Sequence, residues 1–466
     1  MLALREAARG LRPGDRLPST REIVGIHAVS PVTVSRALSA LSAEGLIVTR
    51  PGSGTYVADR PEPPPPNADL SWQTATLGDR TIDATSVDFL LQSDMPGAIS
   101  LAAGYPHPSL LPTRALAAAL ARAGRRHDAA ERPTLTGIAG LRAWFAKSIG
   151  GGIRAEDVLV TSGGQGALST AFRAIAPAGD PVLVESPTYI GALAVARGAH
   201  LRAIPVPTDH DGVRPDQLTA AFSATGARLL YCQPTYQNPT GSVLGVERRR
   251  QVLAVARDAG AFVIEDDFAR WLSHEPKAPA PLLVDDEDGR VVHVASLTKS
   301  TSPNLRVGAL IARGPVAERL RSLRVVDDFF VARPLQEAAL ELVSAPAWPR
   351  HLSALSIALR RRCAVLLDGL TKYVPEATPT RAPTGGMSVW VRLPDGTDDI
   401  ALAAESRRRG VLVSPGRPYF PAEPSGPHIR LTFASTPEIA DITEGVRRLA
   451  RAMTAVSPDR ARVGVV

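Results

Sequence analysis

Cysteine is nearly absent: Cys232 and Cys363 are the only two in 466 residues, which excludes a disulfide framework and a cysteine-based metal site. Lysine is almost as scarce, with Lys147, Lys277, Lys299 and Lys372 the only four among 53 basic residues. No run of eighteen or more apolar residues occurs, and the first twenty residues lack the apolar core of a signal peptide. The expectation is a soluble, cytoplasmic chain with reduced cysteines and no membrane partner. What is present is ordinary for globular domains, 44% hydrophobic and 21% charged, in a chain long enough for two or three of them. The net charge of +7 permits a nucleic-acid partner and gains meaning only where it concentrates.

With lysine so rare, the setting of Lys299 invites a chemical reading. It follows the apolar run Val291 to Ala295, a buried strand by pattern, in the small-residue loop Ser296-Leu297-Thr298-Lys299-Ser300-Thr301-Ser302-Pro303-Asn304-Leu305-Arg306. Burial lowers an amine's pKa and makes it a usable nucleophile toward aldehydes. Ser296, Thr298 and Arg306 add hydroxyls and a planar cation, the donors that hold a phosphate ester. An aldehyde bearing a phosphate is pyridoxal 5′-phosphate (PLP); the other reading is a surface loop with a solvated lysine.

Charge is concentrated at the start. The first sixty residues carry eight arginines against five acids. Ser19 followed by Glu22 is a capping box opening a helix to about His27, and Ser30-Pro31 opens a second. Val34, Ala37, Leu38 and Leu41 form its inward face, Gly45 stops it, and Thr33, Ser35 and Arg36 remain outside. Leu46 to Thr49 and Thr55 to Val57 read as strands joined by Arg50-Pro51-Gly52-Ser53-Gly54, a hairpin wing. This stretch resembles the winged helix-turn-helix of the GntR family of bacterial repressors, through Pro13 to Glu22 and Glu44 to Val57. The resemblance implies a double-stranded DNA operator, with Arg21 on a phosphate, Ser30, Thr33, Ser35 and Arg36 facing the groove, and the Gly52 to Gly54 tip on the backbone or minor groove. Capping or solvation is the competing role, and for Ser30 the better one. The family's first helix usually starts earlier, and here only Met1 to Gly10 precede.

The proline run in 61–69 is stiff polyproline II and marks a boundary. The expected domains are therefore residues 1–60, a linker at 61–69, and a large unit at 70–466 with a small lobe over about 345–466. Beyond the short strand from Ile99, continuous apolar runs (Val158 to Thr161, Val182 to Glu185, Leu229 to Cys232, Phe262 to Ile264, Val291 to Ala295, Gly308 to Ala312) alternate with helical stretches. That pattern predicts a mostly parallel sheet covered on both faces, with ligands at the strands' carboxyl ends. Polar residues fall there. Gly163, Gly164, Gln165 and Gly166 precede a helix from Ala167, where backbone N–H groups can meet a phosphate or simply make a tight turn. Tyr189 can stack on a flat ring and Asn238 can donate to a ring oxygen. In Glu265-Asp266-Asp267, a carboxylate can keep a pyridine nitrogen protonated; metal binding is the disfavoured alternative, since no histidine or cysteine stands close in sequence.

From about residue 95 to 452 the series resembles the class I aminotransferase family of fold-type I PLP enzymes, especially its aminoadipate and kynurenine branch. The resemblance implies Lys299 as the Schiff-base lysine, Asp266 on the pyridine nitrogen, Asn238 on the 3′-oxygen and Tyr189 stacked on the ring. Gly164, Gln165, Ser296, Thr298 and Arg306 would form the phosphate cup, and Arg430, in His428 to Phe433, would bind a carboxylate. Four positions depart from the family. Phe268 replaces a tyrosine, Arg132 stands where a partner subunit's tyrosine reaches the phosphate, Gly166 replaces a glutamine and Pro427 an asparagine.

Both halves together resemble the MocR/GabR-like subfamily of GntR regulators. That implies a multidomain chain, a winged helix-turn-helix plus an α/β fold-type I domain with an α+β small lobe. It implies a homodimer that senses an amino acid or amine through external aldimine formation at Lys299; the expectation for turnover is left open between none of physiological weight and a residual transaminase activity. The alternative is a catalytically active aminotransferase acting on an amino acid and a 2-oxo acid.

Overall fold

Side-chain caps set where the second and third helices begin. The computed structural model describes residues 2–59, 69–77, 95 and 97–456; the proline run at 61–68 lies outside the described residues. The chain divides into two compact units, Met1–Thr81 and Ile82–Val466.

In the first unit, helices span Leu2–Gly10, Thr20–His27 and Pro31–Ala43. Ser19 and Glu22 form the capping box, each bonding the other's backbone N–H. Ser30 caps the third helix by accepting from the Thr33 N–H at 3.2 Å, with Pro31 at its first position. The second and third helices meet at 114°, within the range of helix-turn-helix pairs. The intervening turn holds Ala28 at φ 50°, a left-handed conformation more usual for glycine or asparagine. Leu4 and Ala8 of the first helix join Leu17, Ile23, Val34, Leu41, Ile47 and Val57 in one small core. The wing pairs Ile47–Arg50 antiparallel with Gly54–Val57.

The second unit is built on an eight-stranded sheet. Its order is Val158–Thr161, Gly308–Ile311, Val291–Ser296, Phe262–Asp267, Leu229–Cys232, Pro181–Ser186, Arg202–Asp209 and Gly212–Val213. The four central strands are parallel, and Gly308–Ile311 runs against both its neighbours. Every expected apolar run is a strand, within a residue or a few at each end. Arg202–Asp209 was not foreseen, because Pro205 and Pro207 interrupt its pattern and prolines usually demote a run to a sheet edge.

The small lobe contains the 26-residue helix Trp348–Tyr373, the helix Ile439–Val456 and a four-stranded sheet. In that sheet His428–Thr432 lies between Ser388–Arg392 and Ser414–Pro415. The lobe is not contiguous in sequence. Ile99–Ser100 pairs with Val411–Leu412, and Leu101 is buried in the lobe's core, so a segment far upstream is stitched into it.

Candidate functional site

The carboxyl ends of the central strands open onto a cavity of about 360 Å³. Gly164, Gln165, Tyr189, Asn238, Asp266, Ser296, Thr298, Lys299, Arg306 and Arg430 all line it. These ten residues come from segments spread over more than 260 positions, so the fold, not local sequence, assembles them.

One end of the cavity suits an anion. The helix expected from Ala167 begins three residues earlier, at Gly164, so Gly164 and Gln165 occupy its first turn and no side chain caps it. The uncapped first-turn N–H groups and the positive end of the helix dipole favour a phosphate. Gly163, at φ 82°, lets Arg306 approach: a Cβ there would lie 3.0 Å from the guanidinium. Arg306 itself is held at φ 49° and donates to the Ser162 carbonyl at 2.9 Å. A non-glycine residue kept in that region is a strained position that the surrounding structure enforces. The Ser296 and Thr298 hydroxyls, 3.0 Å apart, complete the cradle.

The opposite requirement, a cation's partner, is met by Asp266. Only 2% exposed, it accepts from the Tyr231 hydroxyl and the Gln233 amide, both at 2.8 Å and both on Oδ2. Burial pushes its pKa up to about 6 despite those bonds. The acidic triplet is split by the strand's alternation. Asp266 lines the cavity, whereas Glu265 bonds His293 at 2.8 Å and Asp267 faces Arg270 at 2.9 Å.

Between these ends lie the ring contacts. Tyr189 donates to the Gln165 side-chain oxygen at 3.2 Å, and Gln165 donates to the Gly191 carbonyl at 3.0 Å. Gly191 matters because a Cβ there would fall 2.3 Å from the Tyr189 ring. The Asn238 side-chain oxygen is buried without a partner, while its backbone N–H bonds Gln233 at 2.9 Å. Burial pushes the Lys299 amine down to about 7, with the Arg430 and Arg306 cations adding to the effect and Asp266 opposing it. Arg430 is 3% exposed; its Nε is unpartnered and one terminal nitrogen makes a long 3.3 Å bond to the Ala102 carbonyl.

This donor set fits PLP. An uncapped helix start with an arginine, a buried carboxylate, the Asn238 side-chain amide as N–H donor and a lysine of lowered pKa match phosphate, pyridine nitrogen, ring oxygen and aldehyde in turn. Sequence reasoning missed Gly104, Tyr105, Tyr231, Gln233 and Gly191. Tyr231 lies inside an apolar strand run, and Gly104 and Tyr105 sit on the upstream segment carried by the small lobe. Phe268 lines the cavity, whereas Arg132 is exposed and does not.

In the first unit, Arg21, Thr33, Ser35, Arg36 and Gly52 are exposed, and among the described residues Arg21 and Arg36 have no carboxylate partner. Ser30 is committed to its cap and also bonds the Thr33 hydroxyl at 2.9 Å. Gly54, at φ 126°, makes room for Arg16, whose Nε would lie 2.8 Å from a Cβ there.

Fold and site define a PLP-type aminotransferase domain carried behind a winged helix-turn-helix. Residues 97–449 match the model for aminotransferase class I and II, and residues 5–57 match that for bacterial regulatory proteins of the gntR family. The chain belongs to the class I and II aminotransferase family and has the MocR-like GntR–aminotransferase architecture. It is 30% identical to the HTH-type transcriptional regulator TauR of Rhodobacter capsulatus, over 95% of this chain and 93% of that one. It is 27% identical to the HTH-type transcriptional regulator YdfD of Bacillus subtilis, over 94% and 91%. The 2-aminoadipate transaminase of Thermus thermophilus is 32% identical over 82% of this chain and 98% of its own length. The crystal structure of LysN, the α-aminoadipate aminotransferase of Thermus thermophilus complexed with N-(5′-phosphopyridoxyl)-L-leucine, superposes with a TM-score of 0.77 at 31% identity. That match covers 83% of this chain and 99% of LysN.

Proposed function

We propose that the protein is a PLP-dependent, DNA-binding transcriptional regulator of the MocR type that senses an amino acid or amine. The observation that carries this reading is the gathering of Lys299, Asp266, Asn238, Tyr189, Arg306 and Arg430 around one cavity in a chain that begins with a winged helix-turn-helix. Bound PLP supplies an aldehyde for amine exchange and a ring that draws electron density from the attached group. Lys299 provides the anchoring amine, whose burial brings its pKa down to about 7, so that a substantial share is neutral and reactive near neutral pH. Asp266 holds a proton on the pyridine nitrogen, and Arg306 with the Gly164–Gln165 turn, Ser296 and Thr298 holds the phosphate. Arg430, buried with a free Nε, receives the effector's carboxylate.

The working division is residues 1–60 for DNA, 61–69 as linker and 70–466 for cofactor and effector, with the small lobe over about 345–466. Arg21 and Arg36 contact phosphates or bases, Thr33 and Ser35 face the groove, and Gly52 and Gly54 shape the wing tip. The protein acts in the cytoplasm as a homodimer, so that two recognition helices address a repeated operator. Effector binding shifts the population between two arrangements of the dimer, which is how a small ligand alters DNA affinity.

A second reading, a working aminotransferase, is favoured by the 32% identity to a transaminase over 82% of the chain. The two are separated by measuring operator binding and 2-oxo-acid consumption on the same PLP-loaded preparation. The regulator reading expects an amino acid or amine to change operator affinity in the wild type but not in Lys299→Ala, which still binds DNA. Sustained consumption of a 2-oxo acid with no change in operator affinity would replace it with the enzyme reading.

A further inference from the structure

The Lys299 amine has a seat that none of the expected cofactor contacts provides. Its Nζ donates to the Gly104 carbonyl at 2.6 Å and lies 3.6 Å from the centroid of the Tyr105 ring. That is well inside the distance at which an ammonium is attracted to an aromatic face. Both partners sit on one short segment fixed at its two ends. Leu101 N–H bonds the Leu412 carbonyl at 2.8 Å, Thr432 N–H bonds the Leu101 carbonyl at 2.8 Å, and His107 N–H bonds the Ala434 carbonyl at 2.7 Å. The seat is thus carried by the small lobe, while Lys299 belongs to the large one.

We infer that Tyr105, with the Gly104 carbonyl, is a positioning residue that holds the Lys299 amine in its charged form at a fixed place in the cofactor cavity. A lone pair on the carbonyl and the negative face of the ring both favour an ammonium over a neutral amine. They act against the other groups around Nζ. Burial and the Arg430 and Arg306 cations disfavour the charge, and Asp266 favours it. Tyr189 also lines the cavity, and burial raises its hydroxyl's pKa, so it stays neutral across the working range. The seat therefore sets how much of Lys299 is free to react at a given pH, and where the amine rests whenever it is not attached. This use of Tyr105 rests on Lys299 being the reacting amine only for its consequence, since the geometry is present in the chain itself.

With four lysines in the chain, the test is direct. The full-length, cofactor-free protein labelled with 13C-lysine gives four side-chain signals to titrate by NMR, and Lys299→Ala identifies the one that matters. Tyr105→Leu keeps an apolar side chain but removes the ring face, and is expected to lower the Lys299 midpoint by about one pH unit. Tyr105→Phe keeps the ring and is expected to leave the midpoint in place. The other three midpoints should not move in either variant, and Tyr105→Met substitutes for the leucine variant if that one fails to unfold cooperatively. An unmoved midpoint in the leucine or methionine variant, or an equal shift in Tyr105→Phe, overturns the inference. Capture of added PLP, followed in parallel, keeps the two readings apart. The expected midpoint shift in Tyr105→Leu, together with a wild-type chain that captures no PLP, supports the seat and removes the proposed function.

Discussion

Asp266→Asn separates what the buried carboxylate costs the empty chain from what it gives the loaded one. The asparagine oxygen can take the place of Oδ2 and keep both 2.8 Å bonds from Tyr231 and Gln233, so the change removes charge with little change of shape. In the empty chain Asp266 has its folded pKa raised from 3.8 to about 6 by burial. The folded state then binds more protons than the unfolded state between those values, and stability is lost as pH rises from about 4 through 6. At pH 7 the full penalty is present, an upper bound of ~3 kcal/mol from the two-unit shift. Asp266→Asn should therefore leave the empty protein as stable as the wild type or more so, by up to that amount. The loaded protein behaves oppositely. Losing a charge-assisted bond to a protonated ring nitrogen costs about 1.5–3 kcal/mol, or roughly ten- to a hundredfold in PLP affinity. Denaturant unfolding of the empty chain and equilibrium titration with PLP, both at pH 7, give the two numbers. A variant that binds PLP as tightly as the wild type would refute the assignment of Asp266, whatever its stability.

Acidification should act like that substitution: PLP affinity should fall as pH drops through about 6, where Asp266 takes up its proton, and Asp266→Asn should lose this component in equilibrium titrations while keeping the fall that protonation of Lys299 gives. Gly163→Ala places a Cβ 3.0 Å from Arg306 at φ 82° and ψ 177°, a conformation essentially restricted to glycine; it should cost about 1–3 kcal/mol of stability and weaken PLP binding, read by unfolding and titration. Ser19→Ala removes a capping box and should destabilise the first unit by about 1 kcal/mol, seen as increased amide exchange in Thr20–His27 with PLP binding unchanged. Arg21→Ala should weaken operator and non-operator DNA alike and reduce the slope of log K against log salt by about 1, measured by fluorescence anisotropy.

Much of the fold and most of the candidate site were legible because the signals were local. Ser19 with Glu22 and Ser30 with Pro31 are cap signatures readable within four residues, and the structure makes the cap hydrogen bonds, Ser19 with Glu22 and Ser30 from the Thr33 N–H. The four central strands begin as continuous apolar runs, and polar residues just beyond those runs could be marked without knowing which strands were neighbours. What stayed hidden depends on distant packing. Gly191 looks like any helix residue until the Tyr189 ring lies where its side chain would be. Tyr231 reads as core, yet its hydroxyl reaches Asp266 from the adjacent strand. Gly104 and Tyr105 gain meaning only because the segment from Ile99 pairs with Val411–Leu412, more than three hundred residues later. The start at Gly164 instead of Ala167 has a similar origin: glycine's low helix propensity argues against a helical first turn that the tertiary structure nonetheless imposes.

The most direct test of the account is the visible absorption of the purified, PLP-treated full-length chain, compared with Lys299→Ala and followed while amino acids and amines are added. The account predicts an absorption band of attached cofactor in the wild type, its absence in the variant, and a change in the band with a compound that also changes operator affinity. A wild-type chain with no such band, or a variant with the same one, would contradict the claim that this protein senses through Lys299.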